Sequence, residues 1–98
     1  MDVEFTDNAL ARLETDHDFN AGFGEEIVRG FRKVMRFIRS AADERDFRKM
    51  RSLNFEKLKG DRSHQHSLRV NQQYRLIVEI KPSNPKNIIV VVEIADYH

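Results

Sequence analysis

Three cations stand within six residues in the segment 57–62, whose sequence is KLKGDR. They are Lys57, Lys59 and Arg62, and they surround Gly60, a residue that permits a tight turn. Lysine and arginine in such a turn can hold a phosphate through charge-assisted hydrogen bonds, which are stronger than neutral ones. A charged loop with a glycine is also common as plain solvated surface. Taken by itself, this segment leaves both interpretations open.

Two arginines follow within alternating apolar segments: Arg69 interrupts residues 68–70, and Arg75 interrupts residues 74–76. Because successive side chains of a strand point to opposite faces, each arginine is expected opposite the apolar side chains. If the two segments pair as a hairpin, both guanidinium groups approach one face of a sheet, and Arg75 projects from it without contributing to the core. One exposed arginine on a strand is ordinary, whereas two on one face beside a cationic loop indicate an anion site.

The sequence given ends in Asp96-Tyr97-His98, directly after its most hydrophobic segment. Tyrosine and histidine are suited to proton transfer near neutral pH, since the ordinary pKa of histidine is about 6.5. A terminal segment can equally be frayed and without function. The residue types alone therefore do not decide between these interpretations.

His64 and His66 form a His-x-His spacing, which could ligate a metal if both side chains lay on one face of a strand. No cysteine is present and no carboxylate pair stands beside these histidines, so we expect neither a metal site nor a cofactor. The absence of cysteine also excludes disulfide bonds and thiolate chemistry. The sequence contains neither a nucleophilic-serine motif nor a glycine-rich nucleotide-binding loop.

Composition predicts one globular domain over residues 1–98, of which 40% are hydrophobic and 34% are charged. No apolar run reaches the ~20 residues of a membrane helix, and the amino end lacks the pattern of a signal peptide, so we expect a cytoplasmic protein. Residues 1–26 hold eight acids and one arginine, while residues 27–98 hold sixteen cations and eight acids. Such asymmetry is expected where a basic surface meets a polyanion, although an ordinary surface can also be uneven.

Helical periodicity predominates in the first half. Residues 7–14 are expected to form a short helix capped by Thr6, and residues 25–42 a longer one. A third helix is expected to begin after an Asp43 cap, with Met50 turned inward. The apolar stripe of the longer helix consists of Ile27, Phe31, Val34, Ile38 and Ala42, and its other side carries Arg29, Arg32, Lys33, Arg36 and Arg39.

The second half alternates with the period of strands. Residues 74–81 are expected to pair with the preceding alternating segment through a turn at residues 71–73, and residues 3–5 form a further short strand. Residues 88–94 are almost continuously β-branched, which favours a central strand covered on both faces. Helices followed by an antiparallel meander predict an α+β fold, in which a small antiparallel sheet packs against two or three N-terminal helices.

Four segments within roughly the last forty residues resemble HigB-type toxins of the RelE/ParE toxin–antitoxin superfamily. They are residues 58–62 (LKGDR), 66–71 (HSLRVN), 73–76 (QYRL) and 92–98 (VEIADYH). The resemblance implies a RelE-like α+β fold and a messenger-RNA endonuclease that acts on the ribosome. It also implies a cognate antitoxin, usually a helix-turn-helix protein of the HigA type, through which alone the toxin reaches operator DNA.

By position, the resemblance assigns catalytic roles to Lys59, Arg69, Arg75, Tyr97 and His98. Some relatives carry a histidine three residues before the lysine of LKGDR, where this sequence has Glu56, so His66 could take its place. The expected RNA contacts are Lys57, Arg62, His66 and Asp96, together with Arg29 and Arg36, which would contact ribosomal RNA or, in the inactive complex, the antitoxin.

The implied reaction is attack by a ribose 2′-hydroxyl on the adjacent phosphate with expulsion of the 5′-oxygen, which needs no metal. Arg69 and Arg75 would stabilise charge on the phosphorane, and Lys59 would do the same or help deprotonate the hydroxyl. Tyr97 or His98 would protonate the leaving oxygen. Two alternatives remain: a toxin of the same fold that poisons DNA gyrase, as ParE toxins do, and a non-catalytic RNA-binding module.

Overall fold

The computed structural model describes residues 1–96, and Tyr97 and His98 lie outside the described residues. Its elements in chain order are strand β1 (Val3–Phe5), helices α1 (Asn8–Thr15), α2 (Glu25–Ser40) and α3 (Arg45–Lys49), and strands β2 (Glu56–Lys57), β3 (Gln65–Arg69), β4 (Tyr74–Lys81) and β5 (Ile88–Asp96). A short 3-10 turn lies on each side of β2, at Arg51–Leu53 and Gly60–Arg62. This is the α+β arrangement that the sequence predicts.

The five strands form one sheet in the order β1-β5-β4-β3-β2. Strands β3, β4 and β5 pair antiparallel as predicted. Strand β2, which was not predicted, pairs antiparallel with β3, and β1 pairs with β5 in parallel, so the sheet is mixed and not wholly antiparallel. The predicted turn between β3 and β4 is present. There the side-chain oxygen of Asn71 accepts hydrogen bonds from the N–H groups of Gln73, at 2.9 Å, and Tyr74, at 2.7 Å. This local closure fixes the register of the two strands that carry Arg69 and Arg75.

One face of the sheet packs against the helices and forms the core. Helix α2 approaches this face closely because Gly30 has no side chain: a Cβ there would lie 2.6 Å from the carbonyl oxygen of Val70. The contact sets α2 beside the end of β3. The largest fully buried apolar side chains of this core are Leu13, Phe31, Met35, Ile38, Phe47, Leu68, Leu76, Val78, Ile89 and Val91.

The cap of α1 differs from the prediction. Asp7 caps this helix, because its carboxylate accepts a hydrogen bond from the N–H of Ala9 at 2.8 Å. Thr6 does not cap it: its hydroxyl donates to the carbonyl oxygens of Val91 and Val92, at 3.4 and 3.2 Å. Thr6, the residue after β1, is therefore hydrogen-bonded to β5, the partner of β1 in the sheet.

The inward stripe of α2 is also shifted from the prediction. Val28 and Met35 are buried beside the predicted Phe31, Val34 and Ile38, whereas Ile27 is only partly buried. The helix ends at Ser40 because the backbone of Ala41 is extended, so Ala42 falls outside it and is exposed. Likewise α3 ends at Lys49, and Met50, predicted to turn inward, is 43% exposed.

Strand β5 lies between β1 and β4, as a central strand should, but it is not covered on both faces. Ile89 and Val91 are buried, while Ile88, Val90 and Val92 remain partly exposed. The prediction of full coverage is wrong because the helices pack on one face of the sheet only. The β-branched run signals position within the sheet and not burial on both sides.

Candidate active site

The sheet face that points away from the helices, called the second face below, carries the polar side chains. Arg69 and Arg75 are direct cross-strand partners on it, so the predicted hairpin does bring both arginines to one face. The register gives the members of this face as Glu56 from β2, Gln65, Ser67 and Arg69 from β3, and Arg75, Ile77 and Glu79 from β4.

Arg75 is buried, with 8% of its surface exposed. Its Nε donates to the hydroxyl of Ser67 at 3.0 Å, and its Nη2 donates to the same oxygen at 2.8 Å and to the backbone carbonyl of Asn54. Ser67 is itself fully buried. The expectation that Arg75 projects freely from the sheet is therefore wrong, because a buried guanidinium needs acceptors and the protein supplies them.

Asn54 links this arginine to a carboxylate. With its amide oriented to match its neighbours, the side-chain oxygen of Asn54 accepts from Arg75 Nη1 at 3.2 Å, and its nitrogen donates to Glu56 Oε1 at 3.1 Å. Glu56 lies opposite Ser67 on the edge strand and is exposed. A cation, an amide and a carboxylate thus form one connected group on the second face.

Arg69 has different surroundings, although it is the cross-strand partner of Arg75. It is exposed, and its Nε donates to the backbone carbonyl of Asn71 at 3.3 Å. Arg69 also borders a groove of about 300 Å³ that α2 forms with the β3–β4 turn, lined by Lys33, Phe37, Leu53 and Val70 among others. Its guanidinium can therefore reorient toward a ligand, which that of Arg75 cannot.

The cationic segment 57–62 folds over the second face. Arg62 donates from Nε to Gln65 at 2.8 Å and from Nη2 to Glu93 at 3.1 Å, so it joins β3 to β5 across the intervening strand. Beneath this span Ile77 is fully buried, and Leu58 is nearly so. Arg62, predicted as an RNA contact, is thus engaged in holding the loop closed, while Lys57 and Lys59 are exposed.

The two histidines of the His-x-His spacing have different neighbours. His64 Nε2 lies 3.7 Å from a carboxylate oxygen of Glu79, while the ring of His66 stacks on Phe55 with 4.8 Å between centroids. His66 pairs with Val78, which puts it on the helix-covered face, away from Arg75. The structure does not bring His66 to the position that the missing histidine would occupy.

Burial lowers the pKa of His66, and the nearby positive charges of Arg48 and Lys57 lower it further. Its Nδ1 is buried and has no hydrogen-bond partner among residues 1–96. Burial and the two positive charges all favour the neutral imidazole, whose ring packs on Phe55.

The terminal group is described only in part. Asp96 pairs with Tyr74 at the end of β5 and accepts a hydrogen bond from the side chain of Gln73 at 3.0 Å. Tyr97 and His98, the predicted proton donors, lie outside the described residues. Asp96 is thus placed beside the hairpin turn, one residue along β5 from Ala95, the cross-strand partner of Arg75.

On the basic side of α2, two of the five cations bind α1 or the residues just after it. Arg32 donates to three backbone carbonyls at and beyond the end of α1, those of Leu13, Asp16 and Phe19. Arg39 binds both carboxylate oxygens of Glu14 at 2.8 and 2.9 Å, and Arg29 pairs with Glu25 at 2.8 Å. Four of the five cations in the predicted stripe are exposed, namely Arg29, Lys33, Arg36 and Arg39, while Arg32 is half-buried against the end of α1.

Within the described part of the chain, no group of three or more metal-binding side chains is arranged to hold an ion. No helix in that part is both long and apolar enough to cross a membrane.

Asn54 and Ser67 belong to this site but were not predicted from the sequence, in which Glu56 stands out only as a departure from relatives. Asparagine is favoured at left-handed backbone positions, and Asn54 has φ 46°. That preference was a usable signal for a turn but not for a contact with Arg75. Ser67 gave no signal, because a serine opposite apolar side chains looks like ordinary surface.

Two solved structures share this fold over their whole length. One, titled a YoeB/ParE toxin from Agrobacterium tumefaciens, has a TM-score of 0.60 and 16% identity and covers 100% of both chains. The other, from a YoeB–YefM complex of Staphylococcus aureus, has a TM-score of 0.59 and 18% identity and covers 100% of this chain and 97% of that one. Comparison with curated proteins finds no match. The class defined in this way is a RelE/YoeB-like α+β fold.

The family is given by sequence. The model of the HigB-like toxin family, described as the RelE-like toxin of type II toxin–antitoxin system HigB, matches residues 3–98. The chain therefore belongs to the HigB-like toxins of type II toxin–antitoxin systems, and the resemblance noted in its last forty residues is confirmed.

Proposed function

We propose that this protein is a ribosome-dependent messenger-RNA endonuclease that inhibits translation in the cytoplasm. The observation that carries the proposal is the cross-strand pair of Arg69 and Arg75, with Glu56 joined to Arg75 through Asn54. Positive charge beside a proton acceptor is what cleavage of a phosphodiester by its own ribose requires. Membership of a toxin family gives this chemistry a biological setting.

In the proposed reaction, the ribose 2′-oxygen bonds to the phosphorus of the adjacent phosphodiester, and the bond from phosphorus to the next 5′-oxygen breaks. The 2′-hydroxyl gives its proton to Glu56, Lys59 helps to stabilise the charge on the phosphorane, and Tyr97 or His98 gives a proton to the leaving 5′-oxygen. The products are a 2′,3′-cyclic phosphate and a 5′-hydroxyl. The nucleophile belongs to the RNA, so this route needs no metal.

The two arginines have distinct tasks in this reaction. Arg69 is exposed, and its planar guanidinium can bind two phosphate oxygens at once. Arg75 is fixed by Ser67 and Asn54, so its charge is already oriented when the substrate arrives and no reorganisation is needed at the moment of reaction. A charge in a buried setting is also less screened than one in water.

Binding to the ribosome and its RNA is proposed for the exposed cations Lys57, Arg29 and Arg36, with Lys33 added from the structure. The proposed partner in the inactive state is a helix-turn-helix antitoxin of the HigA type, through which the complex would reach operator DNA. The Staphylococcus aureus structure with this fold comes from a YoeB–YefM complex. Because phosphate contacts release counterions, replacement of Arg36 by alanine should weaken ribosome binding in a salt-dependent way.

The decisive experiment adds purified protein to translating ribosomes and maps cleavage in the messenger RNA by primer extension. We expect cleavage by the wild-type protein, and Arg69→Ala should slow single-turnover cleavage on the order of 100-fold, because it removes one contact to the transition state. Lys86→Ala is the matched control, since Lys86 is an exposed cation in the turn at the opposite end of β4. This control should cleave at the wild-type rate.

Three outcomes would contradict the proposal. Intact messenger RNA and continued translation at high concentrations of folded protein would remove the endonuclease function. Cleaved DNA in complex with gyrase would assign the protein to the gyrase-poisoning class instead. Tight binding of RNA that leaves it uncut, and is equal in wild type and Arg69→Ala, would favour a non-catalytic binding module.

A further inference from the structure

We infer that Asn54 is a positioning residue that holds Arg75 and Glu56 in one fixed arrangement. The inference rests on the proposed function, because it assigns Asn54 a role within that reaction. It concerns a residue between the 3-10 turn Arg51–Leu53 and strand β2, where neither composition nor motif drew attention.

The backbone of Asn54 carries the first part of the argument. Asn54 has φ 46° and ψ 55°, in the left-handed region that asparagine tolerates better than most residues. Its N–H donates to the carbonyl of Arg51 at 3.0 Å, which closes the turn. In this conformation the carbonyl of Asn54 accepts a hydrogen bond from Nη2 of Arg75. A residue confined to ordinary φ would direct this carbonyl elsewhere.

The side chain of Asn54 carries the second part. Its oxygen accepts from Nη1 of Arg75 at 3.2 Å, while its nitrogen donates to Glu56 at 3.1 Å. Ser67 holds the guanidinium from the other side, because its buried hydroxyl accepts from both Nε and Nη2. Asn54 is therefore the residue of this group that contacts both the cation and the carboxylate.

The arrangement has a chemical consequence. An amide nitrogen that donates to Glu56 occupies one of about four acceptor positions on that carboxylate and leaves the others able to accept a proton. The same amide fixes the distance between the carboxylate and Arg75. A misplacement of reacting groups on the order of 1 Å can cost about 100-fold in rate, so loss of the amide should slow the reaction although Asn54 touches neither phosphate nor ribose.

The test uses Asn54→Gly, because glycine keeps the left-handed backbone and its carbonyl while it removes the amide. Single-turnover cleavage of messenger RNA on ribosomes is measured over a range of protein concentrations, with thermal melting as the folding control. We expect the rate at saturation to fall about 10–100-fold, while the half-saturating concentration stays within about twofold. Ala21→Gly is the matched control, since Ala21 is also left-handed, with φ 53°, and should leave both quantities unchanged.

Asn54→Asp is the second variant. Aspartate keeps the shape and the tolerance for left-handed backbone and can still accept from Arg75, but it cannot donate to Glu56. We expect it to cleave as slowly as Asn54→Gly. A full rate at saturation in either variant would overturn the inference, as would a raised half-saturating concentration with an unchanged maximal rate, which would make Asn54 an RNA contact. If the wild-type protein itself fails to cleave, both the proposed function and this inference are wrong. If the wild type cleaves and the Asn54 variants cleave at the same rate, only the inference is wrong.

Discussion

The two faces of the sheet are buried by different means. On the helix-covered face, apolar side chains such as Leu68, Leu76 and Val78 pack against α1 and α2. On the second face, the side chain of Arg62 binds both Gln65 of β3 and Glu93 of β5, and the segment around Leu58 covers the sheet. The first face is held by the hydrophobic effect, and the second by directional hydrogen bonds to charged groups.

This difference explains why the candidate site lies where it does. A guanidinium can be buried at acceptable cost only where acceptors match its donors, and Ser67 and Asn54 supply them to Arg75 on the second face. The helix-covered face offers few such acceptors among its apolar side chains. It supplies the rigidity, while the second face supplies fixed charge at an edge that substrate can reach.

The largest expected effect separates the two faces with a pair of adjacent residues. Leu76 and Ile77 are both fully buried but belong to the helix-covered and the second face, respectively. Leu76→Ala should lower the free energy of unfolding toward the upper end of the ~2–5 kcal/mol range for such changes, because helices around it cannot collapse into the cavity. Ile77→Ala should fall toward the lower end, because the loop above it can settle.

Equilibrium unfolding in urea measures both variants, and equal slopes of free energy against denaturant show that the same cooperative unit unfolds. Equal losses of stability would mean that the loop over Ile77 is packed as rigidly as the helices over Leu76. The contrast between the faces would then be one of chemistry and not of rigidity.

A smaller effect is expected from the two arginines of the second face. Arg75→Ala should cost about 2 kcal/mol in unfolding free energy, because it leaves the buried hydroxyl of Ser67 and the carbonyl of Asn54 without their donor. Arg69→Ala should stay within about 0.5 kcal/mol, as is usual for an exposed side chain. Thermal and urea unfolding of both variants check this, and a neutral Arg75→Ala would mean that water replaces the guanidinium.

The same contrast marks what sequence could predict. Periodicity predicted the helices, the hairpin and the alternation that puts Arg69 and Arg75 on one face, because these depend on local spacing. It missed the burial of Arg75 and Ile77, because that burial comes from a loop whose own sequence, KLKGDR, reads as solvated surface. Periodicity likewise did not predict the partners of Arg32 and Arg39 on α2, which bind groups on or just beyond α1.

The resemblance to HigB-type toxins supplied what periodicity could not, because it pointed to Lys59, Arg75 and the terminal segment together. It did not extend to residues outside the matched motifs. Asn54 precedes the first of these segments and has its role only through the fold, since its left-handed backbone turns a carbonyl toward Arg75. Contacts of this kind depend on how a turn meets a strand, which one sequence does not encode in any local pattern.

The smallest expected effect tests the helix-covered face through pH. Burial, followed by the charges of Arg48 and Lys57, lowers the pKa of His66 below the ordinary 6.5. The folded state therefore binds fewer protons here than the unfolded state in the window between the lowered pKa and 6.5. Stability contributed by neutral His66 is fully present above pH 6.5 and is lost as the pH falls through that window.

His66→Phe should remove this loss, because phenylalanine keeps the stack on Phe55 and cannot take up a proton. Urea unfolding of both proteins between pH 8 and pH 5 measures the difference in how the free energy of unfolding changes with pH. The control is His17→Gln, which replaces an exposed histidine and should keep the pH dependence of the wild type. Asp43, whose pKa is lowered to about 2 by its hydrogen bonds to Arg45, titrates below this range. If His66→Phe kept the pH dependence of the wild type, His66 would have to reach solvent when it is protonated. The packing of the helix-covered face at β3 would then be more mobile than its buried neighbours indicate.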